Sequence, residues 1–124
     1  MNLHLLPQAL SVCKRSNADG IDLARPFYFL SRTDEELSLV CPTDEAPRGA
    51  IAREDGWRAF RIEGVLDFSL IGILARLTGI LAENGVGLFA VSTFNTDYIL
   101  VKAEALPCAV KVLTAAGYTF DSAA

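Results

Sequence analysis

Polar and apolar positions alternate most regularly in the second half of the chain. In WRAFRIEGV, residues 57–65, Phe60 and Ile62 share one side and Arg61 and Glu63 the other, which predicts a strand with one buried face. The period then lengthens. Leu70, Ile71, Ile73, Leu74, Leu77, Ile80 and Leu81 recur at helical spacing and form one apolar stripe. Asp67 or Ser69 is placed to cap the first turn of that helix, and Gly85 after Asn84 suits a left-handed end.

Two β-rich runs follow, VGLFAVSTF at 86–94 and DYILVKA at 97–103, with Asn95 and Thr96 between them, so a tight antiparallel hairpin is expected. Pro107 stands where a second helix starts, Ala109, Val110, Leu113 and Ala116 keep its period, and Gly117 ends it. Residues 118–120 supply a last strand. The order from Trp57 onward is β, α, β, β, α, β.

The first half carries a worn copy of this plan. FLSRTDEELSLV at 29–40 aligns with AVSTFNTDYILV at 90–101 at an offset of 61 residues, bringing Ser31 to Ser92, Asp34 to Asn95 and Glu36 to Asp97. Residues 9–14 read as a strand, whereas 16–25, rich in Asn, Asp and Gly, are too polar for a packing helix. The expected fold class is α+β: a ferredoxin-like βαββαβ unit in tandem duplication. The first copy (1–55) is degenerate, lacking a full first helix, the second (56–124) is complete, and the two pack as one unit because a half of this size buries too little surface alone.

Composition narrows the function classes. The 124 residues are 52% hydrophobic and 21% charged, as in a folded globular protein, and the formal charge of -4 with scattered Lys and Arg gives no basic stripe for nucleic acid. Lys14 and Arg15 follow the apolar start instead of preceding it, so no secretory signal is expected, and no apolar window reaches membrane-spanning length. A soluble, cytoplasmic protein is the expectation. Cys13, Cys41 and Cys108 have neither metal-ligand nor paired-disulfide spacing, and His4 has no sequence neighbour to complete a metal set. No nucleophile and base, phosphate loop or acid pair is evident, so neither catalysis nor a cofactor is expected.

FYFLSRTDEELSLVCPTDEAP in the first half and GWRAFRIEGVLDFSLIGILARLTGILAENGVGLFAVSTFNTDYILV in the second resemble the ACT domain family, in the tandem arrangement of the CASTOR-type arginine sensors and their small bacterial relatives. LDFSLIG (66–72) and STFNTDYILV (92–101) carry the likeness most specifically. The resemblance implies a regulatory module that binds an amino acid or related small metabolite between a strand-to-helix loop and a neighbouring strand. It places ligand contacts at Asp67, Phe68 and Ser69 in that loop, at Gly85, Val86 and Gly87 in the next turn, and at Thr93, Phe94 and Asp97 in the hairpin. Asn95 stands where relatives carry Asp, so arginine specificity is not implied.

Simpler roles stand beside these. Asp67 serves equally as a helix cap, Asn95 and Thr96 as turn formers, and Phe89, Phe94 and Trp57 as core aromatics. TDEE at 33–36, TDEA at 43–46 and EDG at 54–56 read as solvated turns. Two other functions stay open: an interaction or oligomerisation module with a decayed ligand site, and an accessory regulatory subunit of an amino-acid biosynthetic enzyme. The partner would accordingly be a small metabolite, a second copy, or an enzyme or regulatory protein; no nucleic acid and no membrane is expected.

Overall fold

The structure is a computed structural model that describes residues 1–63 and 72–122. Among them are eight strands, β1 (Asn2–Leu5), β2 (Leu10–Arg15), β3 (Phe29–Arg32), β4 (Leu37–Pro42), β5 (Ala52–Ile62), β6 (Leu88–Ser92), β7 (Asp97–Lys102) and β8 (Thr119–Ser122), and two helices, α1 (Ile73–Glu83) and α2 (Leu106–Ala115). The fold is therefore mixed α+β. Sequence reading divides the chain at 55/56, whereas the compact units are Met1–Pro7 with Arg58–Ala124, and Gln8–Trp57.

The first of these units runs β5, α1, β6, β7, α2, β8 after Arg58, the ferredoxin-like order, with β7 pairing both β6 and β5. A strand absent from the sequence reading enters beside it: β1 pairs antiparallel with β5 and parallel with β8. At four residues, β1 is too short to show a period, and its partners lie more than 50 residues away in sequence. The helical stripe does what its spacing implies. Leu77 and Leu81 are buried against Phe60, Ile62, Ile99, Val101 and Leu113, with Ile73, Leu74 and Ile80 packed around them. Burying each large apolar side chain contributes about 1.5–3 kcal/mol, so this stripe holds α1 on the sheet.

The helix starts later than expected. Its N-cap is Gly72, at φ 80 and with no side-chain cap bond, so the cap is not Asp67 or Ser69. Gly72 has left-handed backbone, so α1 begins after it, and residues 64–71, with Leu70 and Ile71, lie outside the described residues. Its end is a Schellman motif: Gly85 at φ 72 donates to Ala82 O at 3.1 Å, and Val86 N donates to Leu81 O at 3.0 Å.

The unit Gln8–Trp57 is an antiparallel sheet in which β4 pairs β3 and β2, and β2 pairs the first half of β5. None of its residues is in an α-helix. The first helix is absent, as expected, and a three-residue 3-10 turn, Thr43–Glu45, stands where the second copy passes through Ala103–Ala105 into α2. Cys13, Leu39 and Cys41 form a core cluster of this unit, covered by Ile21, Tyr28, Ala46 and Ala50 from the loops that replace the helices. Buried Arg15 ties those loops together, donating to Asp19 O (2.6 Å), Arg48 O (2.6 Å) and Pro47 O (3.2 Å).

Two expectations are corrected here. The EDG run is strand, not turn: β5 begins at Ala52, and Asp55 and Gly56 oppose Ser11 alone in a bulge with Gly56 at φ 86. Ser11, fully buried, donates to Asp55 Oδ1 at 2.5 Å and accepts from the Thr43 hydroxyl at 2.9 Å. The repeat offset is 60, not 61: the β3–β4 turn closes with Thr33 N to Glu36 O (2.9 Å) and the β6–β7 turn with Thr93 N to Thr96 O (2.8 Å). Because side chains alternate along a strand, a one-residue slip exchanges the two faces, and the 61-residue alignment compared opposite faces.

Candidate functional site

The hairpin turn between β6 and β7 is built from its own side chains. Thr93 Oγ1 donates to Thr96 O at 3.1 Å and accepts Thr96 N–H at 3.4 Å, so this hydroxyl is committed to closing the turn. Thr33 does the same in the first copy, with Glu35 N (3.2 Å) and Glu36 N (3.1 Å) donating to its Oγ1. Thr96 is only 8% exposed and donates to Ile62 O at 2.8 Å. That bond pins the hairpin tip to the end of β5, where the chain leaves toward α1. Sequence reading took Thr96 as a turn former and missed the anchor, because its acceptor is a backbone carbonyl 34 residues away.

Ser92 and Asp97 face each other at the last register position of the hairpin, and Ser92 Oγ donates to Asp97 Oδ1 at 2.5 Å. Asp97 is half-buried at the start of β7. Phe94, read from sequence as a core aromatic, is instead 80% exposed at the tip. The hairpin thus presents a half-buried carboxylate and an aromatic ring, a pair suited to an ammonium or guanidinium group.

The nine residues singled out in the sequence separate in space. Thr93, Phe94 and Asp97 lie together. Gly85, Val86 and Gly87 precede the other end of β6, about 20 Å along the strand from the turn. Gly85 and Val86 close the end of α1, and Val86 is a core residue. Asp67, Phe68 and Ser69 lie outside the described residues.

Other polar groups were not legible as partners. Parallel pairing of β1 with β8 sets His4 opposite Asp121, whose carboxylate accepts from His4 Nδ1 at 2.5 Å and from Asn2 Nδ2 at 2.8 Å. These bonds favour the ionised form and hold the Asp121 carboxyl below its ordinary range. Burial acts oppositely on the thiols: it raises Cys13 and pushes Cys41 up to about 11, while Cys108 is exposed. Among the described residues no group of three His, Cys, Asp or Glu side chains could hold a metal ion, and no helix is long and apolar enough to cross a membrane. A cleft of about 180 Å³ lined by Met1, Ile73, Arg76, Gly117 and Tyr118 includes none of the nine residues.

Comparison with known proteins decides the family, because the ACT domain model matches residues 52–115, which is half of the chain. The chain belongs to the ACT domain family. A curated relative, the cytosolic arginine sensor for mTORC1 subunit 1 of Rattus norvegicus, is 40% identical over 95 residues. The match covers 71% of this chain and 29% of the rat protein, so the chain spans less than a third of that relative's length. Among solved structures, an Agrobacterium tumefaciens protein superposes with a TM-score of 0.87 at 29% identity, covering 99% of this chain and 93% of the other. The regulatory subunit of aspartate kinase from Thermus thermophilus shares the fold at a TM-score of 0.60 and 11% identity, covering 89% of this chain and 93% of its own. The ACT match begins at Ala52, the first residue of β5 and five residues before the alternation visible in the sequence.

Proposed function

We propose that this ACT protein is a non-catalytic regulatory module that binds an amino acid and passes the bound state to a separate partner in the cytosol. The observation that carries this reading is the hairpin of the ACT unit, where Asp97 and the exposed Phe94 stand at the edge that Thr96 fixes to the end of β5. The segment 67–69, whose sequence resembles the strand-to-helix loop of ACT sites, follows β5 in the chain and is included in the proposed site with Thr93, Phe94 and Asp97. Backbone N–H groups of such a loop suit the ligand carboxylate, and Asp97 suits its ammonium group. The names of the rat arginine sensor and the aspartate kinase regulatory subunit support the ligand class and the regulatory role.

Charge-assisted bonds contribute about 1.5–3 kcal/mol each, so two or three of them support binding in the micromolar to millimolar range. Calorimetric titration of the full chain with the twenty amino acids is expected to give a saturable signal for at least one. Asp97→Ala is expected to weaken it about tenfold or more. Unchanged affinity in Asp97→Ala would remove the hairpin from the site.

A further inference from the structure

The cleft at the start of α1 holds chemistry that the hairpin does not. Its volume is about 180 Å³, and Met1, Ile73, Arg76, Ala116, Gly117 and Tyr118 line it, all from the unit that carries the two helices. A dry cavity of about 150 Å³ holds a benzene ring, so a single ring or a branched chain of similar size fits here. The walls are apolar except at two side chains. Tyr118 is only 7% exposed and sits in the core cluster with Leu77 and Leu113, yet its hydroxyl has no hydrogen-bond partner among the described residues. Buried hydroxyls ordinarily have one. The oxygen is not among the sealed polar atoms, and the cleft is the opening that Tyr118 lines. Arg76, exposed at the start of α1, has no carboxylate paired with it among the described residues.

Backbone charge at this place has the same sign. The N-cap of α1 is Gly72, with no side-chain acceptor for the N–H groups of the first turn, which carries no acidic residue. The facing end of α2 opposes an anion little, because the N–H groups of Ala116, Gly117 and Tyr118 take up the carbonyls of Val112, Leu113 and Thr114. We infer that the cleft binds a small carboxylic acid with an apolar tail and no ammonium group. Arg76 and the Tyr118 hydroxyl take the carboxylate, and Met1, Ile73 and Ala116 take the tail. No acid lines the cleft, so an ammonium group there would lose water without gaining a counter-charge and would face Arg76. An α-amino acid is therefore disfavoured here, in contrast to the hairpin, where Asp97 supplies the acid. The inference is independent of the function proposed above.

The full chain, wild type and with Arg76→Gln or Tyr118→Phe, is titrated by calorimetry and amide NMR with isocaproate, with its neutral amide, and with L-leucine, which is isocaproate carrying an α-ammonium group. Isocaproate is expected to perturb the amides at 73–76 and 116–118. The amide and L-leucine are expected to reach that cleft about tenfold more weakly or less. Each variant is expected to weaken isocaproate about tenfold or more with an unchanged circular dichroism spectrum, and the exposed position of Arg76 keeps its variant informative if Tyr118→Phe disturbs the core. Isocaproate that leaves those amides unmoved, or that binds Arg76→Gln as tightly as wild type, would overturn the site. L-leucine that moves them as strongly as isocaproate would overturn the ligand class, whereas L-leucine shifts confined to 92–97 belong to the hairpin and agree with it.

Discussion

Thr96 shows how a single side chain positions the candidate site. It occupies a turn, where sequence statistics explain a threonine without further role, but its hydroxyl is buried on the Ile62 carbonyl at 2.8 Å. Replacing it with valine keeps the shape and removes the donor. Thr96→Val is expected to lower stability by about 1–3 kcal/mol in urea denaturation, because the carbonyl loses its partner in a buried setting. Asn95→Ala, one residue away and exposed, is expected to change stability little. Phe94 makes the opposite point: an aromatic at strand spacing reads as core, yet the residue lies in the turn, where alternation no longer assigns a face.

Among the elements, the end of α1 was more legible than its start, while Pro107 marked the first turn of α2 as expected. Gly85 and Gly117 mark the ends of α1 and α2 because only left-handed backbone completes those caps, and both have positive φ. Gly85→Ala is expected to cost about 1–2 kcal/mol by chemical denaturation, since φ is 72° although the added Cβ would meet nothing. Gly87→Ala, where φ is not left-handed and the space is equally open, is the control and should be neutral or slightly stabilising. The start of α1 escaped notice because Leu70 and Ile71 continue the apolar period past Gly72, and periodicity does not register a break in φ. Strand β1 escaped for a different reason, since its partners are distant in sequence.

The parallel pairing of β1 with β8 has a pH signature. The Asp121 carboxyl is held low by Asn2 and His4, so the stabilisation it gives is complete above the unfolded-state value and is lost as pH falls through the folded-state value. Denaturation of wild type and Asp121→Asn should therefore differ most near neutral pH and converge on acidification below about pH 4. A constant difference across that range would show that the carboxylate is not what the pairing uses.

At the scale of the whole molecule, the fold class and the duplication were legible because both rest on period and recurrence, which survive without knowledge of partners. The repeat register was not, since matching Ser31 to Ser92 and Asp34 to Asn95 looked better than the geometrically correct Thr33 to Thr93. Nor was the assignment of Met1–Pro7 to the unit that resumes at Arg58. The candidate site was legible in part: Thr93, Phe94 and Asp97 come together, while Gly85, Val86 and Gly87 serve the end of α1 at the far end of β6.

Amino-acid binding by this ACT protein is tested most directly by thermal denaturation of the full chain against each of the twenty amino acids. The expected result is a raised melting temperature for at least one of them, growing with its concentration toward about 2.7 kcal/mol of added stability at one hundred times the dissociation constant. A melting temperature unmoved by all twenty at millimolar concentration would contradict it.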